Sequence, residues 1–226
     1  MTKARVYIDA NILKFSATRL LRFRPREVMV DWGGTRQPLT VHDPVTVNPN
    51  DGIANNTELR REAELLPQVA ALAGSGIVDF LINIETQMEV WGLPNLDSET
   101  GSFYGAPHTL IEAPVQYGRI MFGGNDDYRK EQFNFLRSLR HERFGELQRI
   151  TGAYQGETKI NRNQLLDAFH LWCAEHNRCD FFLSLDFKLA RTIVKSKVKP
   201  KVPVVTPSEL LAALQEGNWI QPTGAH

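Results

Sequence analysis

The chain has 226 residues, 42% of them apolar and 23% charged, and a formal net charge of zero. It is long enough to bury a substantial core in one elaborated domain, and its balanced charge excludes a global field toward nucleic acid or membrane, so such binding needs a local patch. No stretch is apolar for long enough to span a bilayer, and MTKARVYIDANILKF has no leader pattern, so a cytoplasmic protein is expected.

Val6-Tyr7-Ile8 reads as a short buried strand that ends at Asp9-Ala10-Asn11. Ile12, Phe15 and Leu20 then begin a helical spacing. Asp9 stands where strand gives way to helix, which is also an ordinary place for an Asp N-cap. Residues 19–56 read as an insertion. REVMVDW and PLTVHDPVTV are two strands around Gly33-Gly34, a candidate hairpin. NPNDGIANN is loop chemistry. Arg19, Arg22, Arg24 and Arg26 form a local basic cluster, expected on a solvated face.

Thr57 to about Leu72 is a predicted helix, capped by Thr57 and stopped by Gly74-Ser75-Gly76. Ile77–Ile84 is the next buried strand. Thr86-Gln87-Met88-Glu89 has the spacing of a capping box, which gives Glu89 a structural role open to it. Glu85 competes with it as a strand-end acid. Residues 93–160 read as a second insertion, loop to 127 and then a long helix over Tyr128–Ile150. Its stripe of Phe133, Leu136, Phe144, Leu147 and Ile150 includes Arg140, expected to snorkel to the surface.

From Asn163 to His176 the spacing of Leu165, Leu166, Phe169, Trp172 and Cys173 predicts a helix with one face on the core. Asp167 interrupts that pattern, and an ionised Asp is expensive to bury. Asp180–Leu185 is a predicted strand, and Asp186 follows it at the carboxyl end, where open α/β sheets place ligands. Cys173 and Cys179 fit no zinc spacing and read as buried free thiols. Lys188, Arg191, Lys195, Lys197, Lys199 and Lys201 form the densest basic run, expected to hold a nucleic-acid backbone. Val202–Val205 is a strand, Pro207-Ser208 open a helix over Glu209–Leu214, and residues 218–226 read as a tail.

Strands alternating with helices argue a mainly parallel sheet in an α/β fold. Its carboxyl ends share one edge, so Asp9, Asp186 and the Glu85/Glu89 pair converge there. Asp167, within about a turn of its helix start, can join them. Carboxylates gathered in one place repel, and no His-rich or Cys-rich set points to zinc. Oxygen ligands suit magnesium or manganese, and a metal-activated water cleaves phosphodiesters.

RVYIDAN, the strand followed by T-Q-M-E, LLDAFHLWCAEHNRCDFFLSLDF and the closing VPVVTPSELLAAL together resemble the PIN-domain nucleases. The resemblance covers residues 4–16, about 78–92 and 161–214. It implies a three-layer α/β/α fold in a single domain over 1–226 and a metal-dependent ribonuclease. It also implies an acid quartet of Asp9, Glu89, Asp167 and Asp186 that holds Mg2+ or Mn2+. Asn11 and Ser184 match polar positions flanking the quartet. RNA is the implied substrate, and a homo-oligomer is a further expectation. Compact family members are toxins with an antitoxin partner, but they lack equivalents of 19–56 and 93–160. Two alternatives stand beside the nuclease. One is a non-catalytic PIN-like module that binds RNA or protein. The other is an aspartyl phosphatase, which would need an acid where Asn11 stands.

Overall fold

The computed structural model describes residues 3–17, 19–48, 55–91, 102–103, 106–118, 125–154 and 160–217. The chain opens with β1 (Ala4–Ile8) and α1 (Ala10–Ser16). A hairpin of β2 (Leu20–Trp32) and β3 (Thr35–Val47) follows. The two strands pair antiparallel from Leu20↔Val47 to Trp32↔Thr35, so the predicted strands are there and longer than expected. Gly33 and Gly34 both take positive φ, at 61° and 80°. That is the conformation a two-residue turn needs to match the strand twist, and glycine adopts it at no steric cost.

Two helices replace the one predicted over Thr57–Leu72: α2 (Thr57–Glu64) and α3 (Leu66–Gly74). Pro67 lies in the first turn of α3 and has no N–H to continue the ladder of α2. Asn56, and not Thr57, caps α2, accepting from the Leu59 amide at 3.1 Å. β4 (Val78–Ile82) leads into α4 (Ile84–Trp91), and the short β5 (His108–Leu110) lies inside the stretch expected to be loop. The helix predicted over Tyr128–Ile150 is also two, α5 (Asn125–Ser138) and α6 (Glu142–Thr151). Arg140 stands in the break and donates to the carbonyls of Arg137 and Leu139 at 2.6 and 3.2 Å. It satisfies a helix end rather than crossing an apolar stripe.

The remaining elements are α7 (Arg162–His176), β6 (Phe181–Leu183), α8 (Phe187–Lys195), β7 (Val204–Val205) and α9 (Pro207–Glu216). Five strands form one parallel sheet in the order β5-β4-β1-β6-β7. This bears out the α/β class with a parallel sheet. Alternate β1 side chains divide between two apolar clusters. Tyr7 joins Leu81, Phe182 and the inner faces of α6 and α7, while Val6 and Ile8 join Phe80, Leu183 and residues of α3 and α9. Phe169 and Trp172 of α7 are buried, and Trp172 stacks on Phe144 at 5.3 Å. Truncating either ring would cost about 3–5 kcal/mol. Among the described residues no helix is long and apolar enough to cross a membrane. Cys173 and Cys179 are free and buried.

Candidate active site

β1 is the middle strand, with β4 and β5 on one side and β6 and β7 on the other. Strand order therefore reverses beside it, and in open parallel sheets the crevice at such a reversal receives ligands. Asp9 follows β1, Ser184 to Asp186 follow β6, and Asn83 follows β4.

Asp9 occupies the cap position of α1 but makes no cap bond. Its Oδ2 instead accepts from Asn11 Nδ2 and from Ser184 Oγ, both at 2.7 Å. Asn11 also donates to Ser184 Oγ at 3.0 Å and accepts from the Leu185 amide at 3.0 Å. This knot ties the ends of β1 and β6 together and leaves Oδ1 of Asp9 outside it. Burial pushes the Asp9 carboxyl up to about 6. The charge of His170 and the Ser184 hydroxyl oppose that rise, while Glu89 and Asp186 add to it.

Asp186 caps α8, its Oδ1 accepting from the Lys188 and Leu189 amides at 2.8 and 2.9 Å. Its Oδ2 is not part of the cap. Asp167 is half-buried on the second turn of α7, and none of the described hydrogen bonds reaches it. Its carboxyl is raised well above the usual range, first by burial and then by the charges of Asp9, Asp186 and Glu89. Lys188 is the cation that offsets this.

Glu89 does not close a capping box. Asn83 caps α4, accepting from the Thr86 amide at 2.8 Å, so Thr86 lies inside the helix and Glu89 on its second turn. The Glu89 carboxylate meets His170 Nε2 at 2.9 Å. His170 Nδ1 lies 2.8 Å from the Tyr7 hydroxyl, which lies 2.8 Å from Thr86 Oγ1. Burial alone would lower the His170 imidazole, but the Glu89 bond and charge, with Asp9 and Glu85, raise it above its ordinary value. The sequence reading missed His170 because it lies on the buried face of α7 with its partner 81 residues away. Spacing one helical turn after Asp167 was the available signal.

Glu85 is fully buried and both its oxygens are engaged. Tyr117 donates to Oε1 at 3.0 Å and Gln132 to Oε2 at 2.7 Å. Arg162, at the start of α7, donates to Gln132 Oε1. Its Nε is buried with no hydrogen-bond partner, and burial lowers its pKa while Glu89 raises it.

Asp9, Asp167, Asp186 and Glu89 thus act on one another electrostatically. Even so, among the described residues no three His, Cys, Asp or Glu side chains are grouped so as to hold a metal ion. The basic run is not one patch. Lys188 opens α8 beside the acids, but Lys195 ends that helix, about 10 Å along its axis. Lys199 donates to the Ile193 and Val194 carbonyls at 2.7 Å each, closing the carboxyl end of α8. Compared with known proteins, the chain matches no family model, no curated protein and no solved structure.

Proposed function

We propose that the chain is a PIN-like, metal-dependent endoribonuclease with a three-layer α/β/α body. The observation that carries the reading is the placement of Asp9 at the carboxyl end of the middle strand, its Oδ2 fixed by Asn11 and Ser184, with Asp186 held by the α8 amides and with burial raising the Asp9 carboxyl to about 6 and that of Asp167 well above the usual range. Those shifts come first from burial and then from the charges of neighbouring acids, and pKa values so perturbed cluster at functional sites.

The donor chemistry fits a hard divalent cation. Oδ1 of Asp9, Oδ2 of Asp186, Asp167 and Glu89 offer oxygen only, as magnesium and manganese prefer. A dedicated three-ligand cage is not required, because magnesium keeps several waters and is held through one or two carboxylates plus substrate phosphate. Such a cation, when bound, supplies an activated water and charge stabilisation for phosphodiester hydrolysis. The chain's own residues do the rest. Asn11 and Ser184 fix the rotamer of Asp9, and the α8 amides fix Asp186. His170 holds Glu89 from behind, as partners of ligating carboxylates do. Arg162, which feels the charge of Glu89, and Lys188, which offsets that of Asp167, can meet a phosphate.

The non-catalytic PIN-like module is the second reading, favoured by the lack of a ready three-ligand group among the described residues. Incubating purified protein with mixed RNA, with manganese or with chelator, separates the two. Cleavage that needs manganese and is lost in Asp186→Asn supports the nuclease. Binding without cleavage supports the module.

A further inference from the structure

Arg162 is the first residue of α7, the end of a helix that favours anions over cations. It is half-buried and makes no ion pair among the described residues. Its Nη2 donates to Gln132 Oε1, its Nη1 reaches Asn163 Oδ1 only at 3.4 Å, and its buried Nε has no partner. A cation taken from water and paired this poorly costs stability, so a structural role does not account for it.

Nearby carboxylates do not pair with it. Gln132, fully buried on α5, stands between Arg162 and Glu85. The Gln132 amide spends its N–H bonds on Glu85 Oε2 at 2.7 Å and on Tyr128 Oη at 2.8 Å. Its Oε1 must therefore face the guanidinium. A neutral amide thus fixes the arginine, keeps it from Glu85 and leaves its charge unspent. Glu89 lies one turn farther along the same face of α4 and is bonded to His170 instead. Arg162 feels the charge of Glu89 without bonding to it.

We propose that Arg162 binds a backbone phosphate of the RNA beside the one that is cut, and that α5 of the second insertion serves to hold it there. This rests on the reading of Asp9, Glu89, Asp167 and Asp186 as the cleavage site. Arg162 is held at the turn of Glu85, and Glu89 lies on the order of 6 Å farther along α4. Arg162 is thereby tied to α4, which follows β4, while Lys188 opens α8, which follows β6 on the other side of β1. Cations so placed hold a chain with phosphates on both sides of the cut, not a mononucleotide. The Nη1 edge lies on the exposed side, where a phosphate can replace the long contact to Asn163 with a charge-assisted bond.

The test is binding of an end-labelled single-stranded RNA to the full chain in chelator, by fluorescence anisotropy over a range of salt. Arg162→Gln should weaken binding about tenfold and lessen the salt slope by about 0.7. Arg162→Lys keeps the charge but not the planar fork, so it should keep the slope and weaken binding about threefold. Gln132→Met loosens the holder and should do the same. RNA that starts in a free hydroxyl and RNA that starts in a phosphate should behave alike. With manganese, Arg162→Gln should raise KM for RNA far more than it lowers kcat. Wild-type affinity and slope in folded Arg162→Gln overturn the proposal, as does wild-type affinity in folded Arg162→Lys or Gln132→Met. So does a need for Arg162 only when the RNA starts in a phosphate, or a loss confined to kcat. If Arg162→Gln weakens binding and the wild type does not cut with manganese, the cleavage reading fails and the phosphate contact stands. Manganese-dependent cutting with binding indifferent to Arg162 keeps that reading and removes this one.

Discussion

Two clusters of charge flank α7, and they are built on opposite terms. At one, the Arg143 guanidinium donates to both oxygens of Glu175 at 2.7 and 2.6 Å and to Glu146 at 2.6 Å. Glu175, only 5% exposed in its side chain, also accepts from the Lys201 amide. Each charge there has a partner of the other sign, and the Arg143 pKa is raised, first by the Glu175 bond. At the other, burial and neighbouring acids raise the Asp9 and Asp167 carboxyls, and His170 and Lys188 offset this only in part. The first arrangement stabilises the fold. The second costs stability and is what a cation-dependent site would look like. Fully paired charges argue for architecture, and underpaired buried ones argue for a missing ligand.

The contrast breaks if the two clusters respond alike to mutation. Arg143→Ala leaves Glu175 buried and poorly paired, so it should lower stability by about 3–5 kcal/mol. RNA cleavage by the folded fraction should be unchanged. A loss below about 0.5 kcal/mol in denaturant melts would put this pair among those that contribute nothing measurable. Glu85→Gln should come next, at about 1–3 kcal/mol, because the new amide turns a donor toward Gln132. Glu89→Gln should leave stability nearly alone while removing activity. Activity that survives in Glu89→Gln and disappears in Glu85→Gln would exchange their roles.

Smaller in size but opposite in sign is Asp167→Asn. In chelator it should match or exceed the wild type by about 1 kcal/mol, since relieving a strained site usually stabilises. Manganese should raise the melting temperature of the wild type much more than that of the variant. The pH dependence sharpens this. A carboxyl raised on folding binds its proton more tightly in the native state. Stability from Asp9 therefore falls as pH rises from about 4 to about 6 and stays low above that. The raised His170 has the same sign: its contribution is complete below the unfolded value of 6.5 and is lost as pH rises through the higher folded value. Asp43 and Glu146, lowered by their arginine partners, act with the opposite sign, so the check is a difference: in chelator the wild type should lose more stability than Asp9→Asn as pH rises from about 4 to about 6. The smallest effect is expected from the basic run. Lys188→Gln should lessen the salt slope of single-stranded RNA binding by about 0.7, while Lys199→Gln should not change it.

Much of this organisation was legible in the sequence. The strand-to-helix junctions at Asp9 and Asp186 follow from short apolar runs ending in an acid. The hairpin follows from Gly33-Gly34 between alternating strands. The breaks at Leu65 and around Arg140 were not legible, because the apolar stripe continues through them while the backbone does not. β5 is three residues long, too short to show a period. The Glu89–His170–Tyr7–Thr86 chain and the Glu85–Gln132–Arg162 chain join elements far apart in sequence. Only packing brings such partners together. The same packing reassigned Lys199 from a phosphate contact to a helix end.

Asp9 at the end of β1, with Glu89, Asp167 and Asp186, is proposed to make a cation-dependent RNA-cleaving site. The most direct test is cleavage of a mixed RNA pool by wild type and Asp167→Asn, each with manganese and with chelator. The wild type should cut only with manganese, and the folded variant should not cut under either condition. Equal cutting by the folded variant, or cutting by the wild type in chelator, would contradict the account.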